Sequence, residues 1–136
     1  MIEVTNVPVQ TVGLNQNVLF ANVALKSGGC AERHRQGSAQ ITLAKPGIYL
    51  VSFNADIAIP TGGTVAPISV ALKADGDILA GSGMTVTPAA VEQFFNVSTA
   101  HLIRVCAPCC VTISVGNTST QAISVQNANL LVERKA

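Results

Sequence analysis

From Tyr49 onward every second residue is apolar: Tyr49, Val51, Phe53, Ala55, Ile57 and Ile59. The intervening Ser52, Asn54 and Asp56 are polar, and Pro60-Thr61-Gly62-Gly63 closes the run. Side chains of a strand alternate between its two faces, so this pattern predicts one long strand with a buried face and a wetter face. Lys45-Pro46-Gly47 reads as the turn before it, with Ile41 and Leu43 alternating on the other side of that turn. Downstream, Ile68-Ser69-Val70-Ala71-Leu72-Lys73 leads into Ala74-Asp75-Gly76-Asp77 and then Ile78-Leu79-Ala80. Asp-Gly between apolar segments predicts a hairpin, because Gly takes the positive φ that such a turn demands.

The same period returns near the end of the chain. Val111, Ile113 and Val115 alternate with Thr112 and Ser114, and Gly116-Asn117-Thr118-Ser119 is expected to turn the chain. Ile123 with Val125, and Leu130 with Val132, carry the pattern onward. Phe20, Val23 and Leu25 predict an early strand, and Phe95 with Val97 another, ahead of His101-Leu102-Ile103-Arg104-Val105. No segment of eleven or more residues carries an amphipathic helical stripe. The expectation is an all-β chain of about eight to ten short strands at a sandwich-like spacing. It reads as one domain, residues 1–136, with residues 1–17 as an extended lead-in.

Composition sharpens this picture. Hydrophobic residues make up 49% and charged residues 11%, the reverse of what a disordered chain needs. Val, Ile and Thr number 17, 10 and 11, and these β-branched residues suit a pleated surface. The formal charge of +1 lacks the basic excess with which nucleic-acid binders neutralise phosphate, so no nucleic-acid polymer is expected as a partner. A weakly charged, apolar domain has little repulsion to keep copies apart, which favours self-association. The start Met1-Ile2-Glu3-Val4-Thr5-Asn6 has an acid where a signal peptide needs a basic region, and no apolar run is long enough to span a membrane. The chain is therefore expected to be cytoplasmic as synthesised, with later incorporation into a phage virion or bacterial surface layer left open. Asn96-Val97-Ser98 and Asn117-Thr118-Ser119 fit the glycosylation sequon, but are read as products of an Asn/Ser/Thr-rich chain.

The order of landmarks resembles a known family. Gly37-Ser38-Ala39-Gln40-Ile41-Thr42-Leu43 followed by Pro46-Gly47-Ile48-Tyr49-Leu50-Val51-Ser52-Phe53 is similar to a hallmark of the C1q/TNF-like jelly rolls. Val70-Ala71-Leu72-Lys73-Ala74-Asp75-Gly76 matches that family's next strand and its Asn-Gly-type turn. The tail Asn127-Ala128-Asn129-Leu130-Leu131-Val132-Glu133-Arg134 resembles the last strand of the bacterial and phage branch, which includes the BclA C-terminal domain. The resemblance spans residues 18–136 and implies an antiparallel jelly-roll sandwich of about ten strands that assembles as a homotrimer. Two features depart from it. Ala107-Pro108-Cys109-Cys110 stands where the family has a late Gly-Asp turn, and no collagen-like Gly-X-Y stalk is seen ahead of the domain.

Candidate chemistry is sparse. Cys106-Ala107-Pro108-Cys109-Cys110 contains a Cys-x-x-Cys, to which Cys30 and His34 would add for a zinc set; a disulfide or redox pair is a second reading. The preferred reading is buried structural thiols, since the run lies between apolar segments and cysteine is among the most buried residues. No metal or cofactor is therefore expected. Ala31-Glu32-Arg33-His34-Arg35-Gln36 is the densest polar run. Arg33, His34 and Arg35 are its candidate ligand-binding residues, since guanidinium forks suit phosphate or carboxylate; the plain alternative is a solvated loop. His101 near Ser98 and Thr99 lacks an acid for a triad, and Asp75 and Asp77 read as turn residues, with calcium a minor alternative. No nucleophile elbow, zinc-protease helix or phosphate-binding glycine loop occurs, so an enzyme is not expected. The reading is a non-catalytic homotrimeric module in a bacterial or phage particle, meeting other particle components or a surface receptor. The alternative is a cytoplasmic binder that sequesters a small anionic ligand, such as a nucleotide signal, between subunits.

Overall fold

A computed structural model describes residues 1–29 and 31–136 and contains no helix among them. No helix is therefore long and apolar enough to cross a membrane among the described residues. Twelve strands form two antiparallel six-stranded sheets. They are β1 (Ile2–Asn6), β2 (Gln10–Val12), β3 (Asn22–Lys26), β4 (Glu32–His34), β5 (Ile41–Leu43), β6 (Gly47–Ala58), β7 (Ile68–Ala74), β8 (Asp77–Ile78), β9 (Met84–Val86), β10 (Phe95–Val105), β11 (Val111–Asn117) and β12 (Ile123–Arg134). The first sheet runs β10-β6-β12-β1-β3, with β2 also on β12. The second runs β4-β5-β11-β7-β8, with β9 also on β7. The count exceeds the expected ten because β2, β4, β8 and β9 are pieces of only two or three residues. Residues 1–17, expected as an extended lead-in, contain β1 and β2, both hydrogen-bonded to β12.

The alternation from Tyr49 is the backbone of the sandwich. Tyr49, Val51, Phe53, Ala55, Ile57 and Ile59 are all buried, and β6 pairs with β10 over eleven residues on one side and with β12 on the other. Phe53 is 1% exposed and meets Phe20 edge to face, their ring centroids 6.5 Å apart. The Tyr49 hydroxyl donates to the Lys45 carbonyl at 2.7 Å, which satisfies its one polar group and ties down the preceding turn. The expected hairpin is present: Asp75 and Gly76 take φ of 51° and 86°, the two positive values of a two-residue turn that matches strand twist. Asp75 Oδ1 also accepts from the Thr112 amide at 2.9 Å, fastening the hairpin to β11.

Three sequence expectations need correction, and each has a backbone cause. Phe95 with Val97 and His101–Val105 are parts of one strand, β10, because the polar residues between them occupy alternating positions of the same ladder. Phe20 lies outside β3, and Leu25 is 49% exposed: a bulge between Glu3 and Val4 in the pairing with β1 puts Val23 opposite Val4 but Leu25 opposite Glu3, on the outer face. The turn expected at residues 116–119 starts later, since β11 runs through Asn117. Asn117 is 1% exposed and fully used: Nδ2 donates to the carbonyls of Val12, Gly13 and Gln121, and Oδ1 accepts from the Ser119 amide. Its burial puts this sequon out of reach of glycosylation. In β12 the apolar positions change phase between Val125 and Ala128, where Asn127 adopts a φ of 52° and the register with β6 slips.

Phe53→Ala is expected to cost about 3–5 kcal/mol in chemical denaturation, through lost burial and the cavity left against Phe20. Ser52→Ala, on the outer face, should cost less than about 1 kcal/mol. The reverse order would mean that the faces of β6 are exchanged.

Candidate functional site

Two surfaces stand out above the fold, one on each sheet. The first is the outer face of the long-stranded sheet, read as a grid across β10, β6 and β12. Leu102 lies opposite Leu50, which lies opposite Glu133; Ala100 lies opposite Ser52, which lies opposite Leu131. Ser98, Asn54 and Asn129 form the next row, and Asn96, Asp56 and Gln126 the one after. The grid therefore divides into an end where Ile48, Leu50, Leu102 and Leu131 gather, edged by Arg104 and Glu133, and a polar end. Leu102 is 63% exposed, the most exposed large apolar side chain of the chain's described residues. At the polar end Asp56 is held from both sides, with Asn96 Nδ2 3.2 Å from Oδ1 and Asn127 Nδ2 3.0 Å from Oδ2. Asn129 Nδ2 donates to Glu3 Oε2 at 2.7 Å. No single segment of the sequence marks these leucines, because their neighbourhood depends on which strands lie side by side.

The second surface is a cleft of about 450 Å³ at the edge of the other sheet, lined by Arg33, His34, Arg35, Ser38, Gln40 and Thr42. The three residues singled out in the sequence thus meet in one concavity. β4 pairs antiparallel with β5, so Arg33 faces Thr42, and both point away from the core that Ile41 and Leu43 enter. The connecting loop is a tight turn: the Ser38 amide donates to the Arg35 carbonyl at 2.9 Å, and Gly37 supplies a φ of 84°. The Gly37 amide donates to the Phe20 carbonyl at 2.8 Å, and the Phe20 amide donates to the Ser38 carbonyl at 3.1 Å. Because the Phe20 ring is buried against Phe53, the core itself holds this loop in place.

Within the cleft the roles separate. His34 has Nδ1 2.8 Å from the Gln40 carbonyl and Nε2 3.2 Å from the Phe20 carbonyl. Both ring nitrogens thus lie within hydrogen-bond distance of main-chain carbonyls. His34 clasps the loop, whereas the exposed guanidiniums of Arg33 and Arg35 face solvent. Neither pairs with a carboxylate among the described residues. The nearest acid in sequence, Glu32, points to the other side of β4. It is 2% exposed, and although no hydrogen bond reaches its Oε1, that oxygen lies 3.2 Å from the Met1 ammonium. We take this ion pair as its compensation, since Coulomb attraction at that distance does not require hydrogen-bond alignment. Ser38, Gln40 and Thr42 carry no site signal in the run Gly37–Leu43; the pairing of β4 with β5 puts Thr42 opposite Arg33, and the turn brings the other two to the same cleft.

The cysteines do not follow the preferred reading. Cys106, Cys109 and Cys110 are exposed in the β10–β11 loop, and Cys109 and Cys110 are joined to each other by a disulfide. Residues 106–110, which join β10 to β11, are all exposed, so none of these cysteines enters the core. Cys30, the fourth cysteine, lies outside the described residues. Ser98 and His101 fall on opposite faces of β10, since three residues separate them on a strand of period two. They cannot form a catalytic pair there.

No protein-family model matches the sequence, and no curated protein matches it. The fold has close counterparts among solved structures. Eiger TNF from S. frugiperda superposes with a TM-score of 0.76 at 13% identity, covering 99% of this chain and 91% of that one. The globular domain of zebrafish complement 1qA gives 0.66 at 13% identity over 98% of both chains. The vertex protein P5 of PRD1 gives 0.51 at 15% identity, covering 99% of this chain and 97% of that one. The chain therefore has the jelly-roll fold of the TNF and C1q proteins, as the sequence resemblance implied.

Chelation is expected to leave the melting temperature unchanged, and metal analysis to find well under one zinc per chain, because Cys109, one of the proposed ligands, is consumed by the disulfide with Cys110. Stoichiometric zinc that persists under non-reducing conditions would overturn that account. His34→Ala is expected to cost about 1 kcal/mol, through loss of the ring's contacts to the Gln40 and Phe20 carbonyls, as measured by denaturant titration.

Proposed function

We propose that this protein is a non-catalytic homotrimeric module, a structural, surface or attachment component of a bacterial or phage particle. The observation that carries the reading is the apolar end of the outer face on β10, β6 and β12. Strands buried on their inner side have no structural need for Leu50, Leu102 and Leu131 on the outer one. Apolar residues gathered there, beside polar groups already satisfied by Asn96, Asn127 and Asn129, suit burial against another copy. Threefold closure is the arrangement implied by the sequence resemblance to the C1q/TNF jelly rolls. It would let each copy cover its neighbour with no free edge left to propagate. A particle role is supported by the likeness to a phage vertex protein and by the lack of any catalytic constellation in the sequence. The second reading, a binder of a small anionic ligand, is favoured by the Arg33 cleft. That cleft lies on the opposite sheet from the apolar face and is independent of it.

Light scattering on the purified chain is expected to give about three times 14.0 kDa. Leu102→Asp, which places a carboxylate in the apolar end, should shift the population to monomer while keeping the sheet signal in circular dichroism. A parent protein that is monomeric at micromolar concentration would sink the assembly reading. A trimer indifferent to Leu102→Asp would place the contact elsewhere.

A further inference from the structure

Four of the clefts on the surface of the described residues measure about 320–450 Å³, and their charges differ. Two are lined by uncharged residues, around Gln10 and Leu19 and around Pro60 and Gln121. A third mixes Lys45, Arg134 and Lys135 with Glu32 and Glu133, so its charges offset one another. Only the cleft between β4 and β5 has cationic side chains and no carboxylate. Arg33 lies on β4 and Arg35 opens the turn that follows it, and both side chains line this cleft. A tetrahedral oxyanion placed between them can be gripped by a fork from each.

We propose that this cleft binds a small ligand bearing a phosphate or sulfate ester, with Arg33 and Arg35 as the anion grip. The remainder of the lining says what accompanies the anion. The Ser38 hydroxyl accepts from the Gln40 amide at 3.0 Å and keeps its own proton to donate. The hydroxyl of Thr42 and the side-chain amide of Gln40 make no hydrogen bond within the chain's described residues. A bare oxyanion fills only a small part of 450 Å³, and the uncommitted hydroxyls and amide suit the hydroxyls of a sugar or nucleoside ring. The grip is also pre-ordered. Gly37 and Ser38 in the turn are tied to Phe20, and the His34 ring lies against the Gln40 and Phe20 carbonyls, so little ordering cost falls on binding. A random solvated arginine pair would have no such support. This inference goes beyond the assembly reading and does not rest on it, because none of the lining residues lies on the long-stranded sheet.

The test is calorimetric titration of the full chain, at low ionic strength, with four probes: inorganic phosphate, inorganic sulfate, adenosine monophosphate and glucosamine 6-sulfate. At least one ester is expected to bind more tightly than its own inorganic ion, and the stronger ester identifies the phosphate or the sulfate source. Arg33→Ala with Arg35→Ala should weaken that ester about tenfold or more, from the loss of charge-assisted hydrogen bonds. Arg33→Lys with Arg35→Lys, which keeps the charge but removes the forks, should lose part of the affinity. Lys26→Ala with Lys45→Ala removes the same charge elsewhere and should bind as the parent does. Thermal melting without ligand checks that each variant is folded. Binding of inorganic ions only, equal weakening by the lysine and arginine variants, or no binding of any probe would each overturn the proposal. The oligomeric state of the same samples, read by light scattering, reports on the assembly reading separately.

Discussion

The structure depends on one constraint: in β6 every second side chain goes into the core for the whole length of the strand. From Tyr49 to Ile57 the inward positions are filled without a break, and β10 and β12 are long enough to match it on either side. Because the period of a strand is two, a shift by one residue would move the entire apolar set to the other face. The register is therefore held by hydrophobic burial, with the hydrogen-bond ladder following. Once the inner face is set, the outer face is set as well. Its division into an apolar and a polar end is a consequence of which residues share rows across three strands.

Phe20 links this core to the cleft on the other sheet. Its ring packs edge to face on Phe53, while its amide and carbonyl hold Gly37, Ser38 and the His34 ring. An aromatic side chain in the core and a polar loop at the surface are thus parts of one assembly. The arginines gain a fixed platform through it. The ordering cost of such a loop is met during folding, when the ring is buried, and so does not recur when the loop meets a partner.

The two surfaces use opposite chemistry and lie on opposite layers of the sandwich. The outer face of the long-stranded sheet has Asp56 and Glu3 occupied by asparagines and its leucines unoccupied, which suits contact with protein. The cleft has its histidine occupied by main chain and its arginines unoccupied, which suits a small anion. A jelly roll can hold both without conflict, since each sheet has one face on the common core and one face free.

The sequence by itself determined the long strand from Tyr49, the hairpin at Asp75-Gly76 and the polar run Arg33-His34-Arg35. Each rests on local chemistry: alternation of side chains, the φ preference of glycine, and charge density. Where alternation was interrupted by a bulge, as at Leu25 and Asn127, the one-dimensional pattern lost the face, because an added residue reverses every side chain after it. The tertiary structure alone decided which rows are neighbours. That placed Leu50, Leu102 and Leu131 together from segments about 30 to 80 residues apart in the chain. It likewise left the cysteine loop outside the core and turned His34 onto two main-chain carbonyls. Contacts of that range depend on sheet order and register, which arise from burying many side chains at once and are written in no single segment.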